Sequence, residues 1–179
     1  MNTTSDPFEL IRELTNIGVA LSREHNHDRL LEMILRQAER ISNADGGTLY
    51  SITEDKMLRF EIMHTQSLGM RMGGTSDIEI PFPPIPLYDE QGRPNDKMVA
   101  AHAAITRNTI NIEDAYVSEE FDFSGTISID KKKNYYSKSF LSVPLKNHED
   151  DTIGVLQLIN CIDKETGKIQ SFSKEMQKV

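Results

Sequence analysis

Between Ser137 and Asn160 two apolar runs flank a short polar stretch. The first, Ser139 to Leu145, is rich in β-formers and large apolar side chains. The second, Ile153 to Asn160, is apolar at both odd and even positions. A strand with one solvated face alternates strictly, so a run apolar on both parities predicts a strand covered on both faces. Asn147, His148, Glu149, Asp150 and Asp151 between the runs are turn and solvent residues. The pattern predicts a central β-hairpin with a layer of structure above and below it.

The period is helical near the N-terminus. Leu10, Ile11, Leu14, Ile17, Gly18 and Leu21 share one face of a first helix, which Asp6, Pro7 and Glu9 would open as cap, first-turn proline and capping-box acid. A second helix begins near Asn26 to Asp28 and carries Leu30, Leu31, Ile34, Ala38 and Ile41 on one stripe. Asn43-Ala44-Asp45-Gly46-Gly47 then reads as a stop signal. Thr48 to Ile52 and Met57 to His64 form a hairpin about Thr53-Glu54-Asp55-Lys56. Leu58, Phe60 and Ile62 alternate there with Arg59 and Glu61, as in a half-solvated strand.

Positions 66–80 read as loop and Ile78 to Phe82 as a short strand. Pro81, Pro83, Pro84 and Pro86 stop regular structure up to Arg93-Pro94, and a loop of that length predicts a lid or partner-contact segment. A third helix spans Lys97 to Arg107, capped by Asn95 or Asp96. Thr109 to Ile112 reads as a strand, Asp114 to Phe123 as a short helix with Ser124-Gly125-Thr126 as its exit, and Lys131-Lys132-Lys133 as a basic turn. Asp163 to Gly167 is a turn, and Phe172-Ser173-Lys174-Glu175 opens a terminal helix expected to run on past Val179 toward an output domain.

Composition narrows the function classes. At 37% hydrophobic and 27% charged, the chain is an ordinary globular one, and its formal net charge of −8 argues against a broad nucleic-acid or anionic-membrane surface. No apolar run is long enough to span a bilayer, and the first ten residues lack the pattern of a secretory signal. A single cysteine, Cys161, fits a reducing, cytoplasmic setting.

Helices, a hairpin, a long loop, a small helix, a strand, a second hairpin and a terminal helix describe an α+β fold with an antiparallel sheet. Thr109-Ile110-Asn111-Ile112-Glu113-Asp114-Ala115-Tyr116, Phe121-Asp122, Ser139-Phe140-Leu141-Ser142-Val143-Pro144-Leu145 and Ile153-Gly154-Val155-Leu156-Gln157-Leu158-Ile159-Asn160 together resemble a GAF domain. The likeness covers nearly the whole chain and is similar to GAF domains of cyclic-nucleotide phosphodiesterases, adenylyl cyclases and bacterial HD-GYP phosphodiesterases. Asp122-Phe123-Ser124-Gly125-Thr126 and Asn147-His148-Glu149 most resemble the HD-GYP-linked group. The resemblance implies a GAF-like (profilin-like) six-stranded antiparallel sheet with helices on both faces. It divides the chain into an N-terminal dimer or linker helix over 1–24, the GAF domain over 25–171 and the start of a C-terminal helix over 172–179.

The resemblance further implies a regulatory, non-catalytic domain that senses a small molecule, with a cyclic nucleotide one candidate, and that works as a homodimer in a bacterial signalling protein. Phosphodiesterase relatives that bind cyclic nucleotides carry an Asn-Lys…Phe…Asp-Glu signature. Here Cys161 follows Asn160, and Met176 and Gln177 follow Phe172 where the acids would stand, so that signature's salt bridge is absent.

Position on this scaffold nominates Thr48 and Tyr50 on the first strand, His102 on the third helix, Asp114, Phe121 and Asp122 around the fourth, and Ser139. Together they offer hydroxyls, an imidazole, carboxylates and a stacking ring for a purine-like ligand. Each also has a plain structural reading, as core ring, helix cap or packed tyrosine. His25 and His27 are spaced for different helix faces and read as a solvated turn, not a metal site. Cys161 reads as a buried inert thiol and the lysine run as a solvated loop. A ligand-free dimerising module is the alternative function, and a small GAF-fold enzyme is a further one.

Overall fold

Two asparagines bound the helix on which the sheet is laid. Asn26 Oδ1 accepts from the Arg29 amide at 2.9 Å and opens α2 (His27–Ser42); Asn43, at φ 54°, closes it, with its amide on the Glu39 carbonyl. The computed structural model describes residues 7–178, with side chains described at 12 and from 15 to 176. α1 (Pro7–Arg23) precedes α2 and packs on it. Its predicted cap Asp6 and the side chains of Leu10, Ile11 and Leu14 lie outside the described residues.

The predicted stop at 43–47 is only one residue long, because β1 (Ala44–Ile52) begins at Ala44. Gly46 and Gly47 belong to the strand. A Cβ on Gly47 would stand 2.8 Å from both the Gln157 carbonyl oxygen and Leu35 Cδ1, so glycine here admits the close approach of α2. β2 (Met57–Thr65), β3 (Met70–Gly73), β4 (Ile85–Pro86), β5 (Ile110–Ile112), β6 (Phe140–Lys146), β7 (Thr152–Ile162) and β8 (Ile169–Gln170) complete the sheet. Its order is β3-β2-β1-β7-β6-β5, every pair antiparallel, with β4 on β2 and β8 on β7. The expected six-stranded path is present, with two short strands added.

β3 and β4 lie where a loop was expected, and Ile78 to Phe82 is not a strand. Met70–Gly73 forms a ladder because β2 offers it a free edge; Pro86 is tolerated because β4 is itself an edge. β7 is covered on both faces, as its double-parity pattern requires. On one face Leu35 of α2 meets Leu49, Ile62, Leu156 and Leu158, with Phe172 and the half-buried Met176 closing the layer. The segment Lys174–Lys178 is a short 3-10 helix within the described residues, not the expected α-helix. On the other face α3 (Val99–Thr106) lays Ala100, Ala101 and Ala104 on Tyr50, Leu58 and Val155. α3 starts two residues later than expected, and Asn95 Oδ1 accepts from the Met98 amide at 3.3 Å.

Strict alternation in β2 breaks at Glu61. Leu49 pairs with Ile62 and Tyr50 with Phe60, so Glu61 is a bulge. Leu58 therefore packs under α3 while Ile62 packs under α2. The segment 113–123 is a chain of turns, not a helix. Asp114 Oδ1 accepts from the Tyr116 amide at 3.0 Å, a local bond that competes with helical ones. The helix instead starts where an exit was expected: α4 spans Ser124–Lys133, and the three lysines form its last turn, next to the negative end of its dipole.

Leu35 is 1% exposed at the tightest point of this packing. Leu35→Ala should cost about 3 kcal/mol, as cavity-forming leucine truncations do. Gly47→Ala should also destabilise, because Gln157 and Leu35 must retreat. Urea midpoints of the two variants against the parent protein check both.

Candidate functional site

α3 lies flat on the sheet because it meets the strands through alanines, whereas α4 stands off. A cavity of about 360 Å³ opens between α4, the strand floor and the β2–β3 wall. Thr48 and Tyr50 of β1 and Gln157 and Ile159 of β7 lie in its floor. Phe60 and Met63 of β2, with Leu68, Met70 and Phe82, form one wall. Phe123, Ile129, Asp130 and Lys133 of the α4 region and Phe140 of β6 form the other. The aromatic lining is itself packed: Tyr50–Phe60 centroids are 4.7 Å apart, Phe60–Phe82 5.6 Å and Phe123–Phe140 5.1 Å.

A polar strip crosses this apolar floor. The Tyr50 hydroxyl donates to Gln157 Oε1 over a long 3.4 Å, and Gln157 Nε2 donates to Ser142 Oγ at 2.9 Å. Burial pushes the Tyr50 hydroxyl far above its ordinary value, so it remains a neutral donor.

Carboxylates hold the walls in place. Asp130, 3% exposed, accepts from the Tyr116 hydroxyl at 2.7 Å, the Ser137 amide at 2.7 Å and Ser137 Oγ at 2.8 Å, which ties α4 to the loop before β6. Burial and this carboxylate push the Tyr116 phenol up to about 12. Asp45 accepts from the Tyr135 hydroxyl and Ser67 Oγ, each at 2.6 Å, and so joins the two walls at one end. From α2, Glu39 meets His64 Nδ1 at 2.9 Å, and Glu32 accepts from Arg71 at 2.7 Å and from the Thr75 amide and hydroxyl at 2.8 Å. Burial pushes the Glu39 carboxyl up despite His64. Burial raises Glu32 too, but the bonds from Arg71 and Thr75 outweigh it and hold this carboxyl below its ordinary 4.5.

Of the seven nominated residues, Thr48, Tyr50 and Asp122 line the cavity and the other four lie outside its lining. His102 contacts Asp96 at 3.2 Å and the edge of Phe121, which is a core ring. Asp114 holds the Tyr116 turn and stands 3.8 Å from Lys138 Nζ. Ser139 is fully buried, donating to the Gln170 carbonyl at 2.7 Å and accepting from the Cys161 amide at 3.2 Å. Gln157 is absent from the nominated set, although it is the one polar side chain in the run Val155 to Ile159. The methionine and phenylalanine lining carries no sequence signal that separates it from core. Among the described residues no three of His, Cys, Asp and Glu cluster as metal ligands.

The model of the GAF domain family matches residues 26–177. The chain belongs to the GAF domain family. It is 28% identical over 93% of its length to a cGMP-specific 3′,5′-cyclic phosphodiesterase of Drosophila ananassae, and likewise 28% over 93% to that of Drosophila virilis. It spans only 13% and 17% of those proteins. Among solved structures, the GAF domain of an Acinetobacter phosphoenolpyruvate-protein phosphotransferase superposes with TM-score 0.62 at 15% identity, covering 94% of this chain and 83% of that one. A free methionine-R-sulfoxide reductase from Neisseria meningitidis, in complex with its substrate, superposes at 0.59 and 16%, covering 98% and 84%. Both share the GAF fold with this domain.

Removing the Asp130 carboxylate strands the Ser137 and Tyr116 donors, so Asp130→Ala should cost about 3 kcal/mol in urea unfolding. Glu32 predicts an acid effect with a definite sign. Its folded value is depressed, so its contribution is present above about 4.5 and is lost as pH falls through the lower folded value. Glu32→Gln should flatten the fall of the thermal midpoint below that pH; an unchanged slope would show that the pair with Arg71 adds nothing.

Proposed function

We propose that this GAF domain is a non-catalytic, small-molecule-sensing regulatory module of a bacterial signalling protein of the cyclic-nucleotide phosphodiesterase, cyclase or HD-GYP type. The observation that carries the reading is the cavity of about 360 Å³, largely apolar with a polar strip across its floor, inside a domain of this family. Thr48, Tyr50 and Asp122 line it and are the contacts proposed for the ligand. The phosphodiesterase relatives support the regulatory setting. The sulfoxide reductase neighbour shares the fold alone, and the lone cysteine here is ill suited to catalysis: Cys161 is buried, its thiol pushed up by that burial.

Transmission rests on the wall contacts. A ligand that favours one placement of the β2–β3 wall biases α2 through Glu32 and Glu39, and population shift then passes to whatever α1 and the chain's end adjoin. A dimer through the α1–α2 layer is a second reading, favoured by Val19 (45% exposed) and Ile41 (53%) on those helices.

A thermal-shift screen of the domain against nucleotides, cyclic nucleotides and common metabolites tests the sensor reading. A ligand at a hundred times its Kd should add about 2.7 kcal/mol to stability. Ile129→Trp, which fills the cavity from an exposed helix position, should abolish the shift while leaving the unliganded midpoint near that of the parent. No shift from any compound, together with a midpoint that rises with protein concentration, would favour the dimerising module.

A further inference from the structure

A ligand with a fixed charge must find counter-charge or amide donors in the cavity that strips its water. Among the described residues, the lining holds one formal cation, Lys133, on an exposed turn of α4, and no arginine. His64 is the other basic group, and both oxygens of Glu39 already lie 2.9 Å from its Nδ1. Two carboxylates, Asp122 and Asp130, line the α4 side.

The start of α4 is where an anion would seek free amides; Asp122 takes the first of them and sets its negative charge beside those of Gly125 and Thr126. Its Oδ1 accepts from the Ser124 amide at 2.9 Å, and the Ser124 hydroxyl and amide hold its carboxyl below the ordinary value. An incoming phosphate would meet that negative charge. The remaining surface is mostly aromatic, aliphatic and thioether, over a floor strip of neutral donors and acceptors.

We propose that the cavity binds an uncharged, planar aromatic molecule, with its ring among Phe60, Phe82 and Phe123 and one hydrogen-bonding edge on Thr48 and Gln157, and that it discriminates against the phosphorylated counterpart. This rests on the reading of the cavity as a ligand site. The 3.4 Å Tyr50–Gln157 contact leaves the Gln157 amide oxygen free to take a shorter bond from a ligand edge. Burial of the ring would supply most of the affinity, and the strip would set its orientation.

Calorimetric titration of the full chain tests the charge. Adenosine and guanosine are compared with cyclic AMP and cyclic GMP, which carry the same rings with a phosphodiester charge, alongside a set of uncharged aromatic fragments. The expected result is binding of a nucleoside or fragment at least tenfold tighter than either cyclic nucleotide, a gap that Asp122→Asn narrows. Gln157→Leu, or Thr48→Val if the first variant unfolds, should weaken the uncharged compound more than tenfold. Tighter binding of a cyclic nucleotide, weakened by added salt, would overturn the proposal and leave the sensor reading standing. No heat from any compound would remove both.

Discussion

A helix can sit low on a sheet only where the facing residues are small, and that constraint sets the shape of this domain. On one face Gly47 gives up its side chain so that Leu35 reaches the β1–β7 floor. On the other, α3 packs against the sheet through Ala100, Ala101 and Ala104. α4 leaves its small residues Ser124, Gly125 and Ser128 exposed instead of laying them on the sheet; Ile129 stays 40% exposed, and the helix is held by Phe123, Ile127 and Asp130. The difference in height between α3 and α4 is the cavity. It is a consequence of which helix is allowed to touch the sheet.

Polar side chains do what packing does not on that open side. Asn160, 1% exposed and at φ 57°, accepts from the Lys138 amide at 2.7 Å and donates to the Tyr136 carbonyl at 2.7 Å and the Tyr135 hydroxyl at 3.0 Å. The loop leaving α4 is thus pinned to the end of β7. The asparagine that resembles part of a ligand signature is, in this chain, a strut. Asp130 and Asp45 extend the same network to α4 and to the β2–β3 turn. Buried polar groups of this kind are satisfied in full or they destabilise, so the loop conformation is strongly specified.

The sequence is most readable where one period dominates. The double-parity run of β7, the caps of α2 and the hairpin turns emerge as read, because each has a local cause. The α2 stripe holds at Leu31, Ile34 and Ala38 but misses Leu35, its deepest residue, and includes Ile41, which is 53% exposed. Glu61 is invisible for the opposite reason. Its bulge depends on β1 register and on Gly74, whose amide donates to the Glu61 carbonyl at 3.1 Å from beyond the strand's end. The position of α4 is hidden because its cap residue is Phe123, which makes no side-chain cap bond, while Asp114 makes a turn that looks like a helix start. Met70–Gly73 is a strand only because β2 has an edge to fill. At the site, the same-face pair Thr48 and Tyr50 is legible from parity. Phe60, Met63 and Phe140 are not, since an apolar side chain looks the same in sequence whether it faces core or cavity.

On the proposed sensor reading, coupling from the cavity to the helical layer would be carried by the two glutamates of α2. Both meet the β2–β3 wall on the face that α2 covers, one at Arg71 and Thr75 and one at His64. A ligand shifts such a two-state element only by its differential affinity for the two placements, about 1.4 kcal/mol for each tenfold change in the ratio. The Glu39 contact is the stiffer of the two, being the more buried: side-chain exposures are 14% for His64 and 9% for Glu39, against 48% and 16% for Arg71 and Glu32. The exposed pair is screened by solvent and yields easily. The wall is therefore held unequally along its length. On that reading the β3 end would adjust to an occupant, while the His64 end would carry the adjustment into α2.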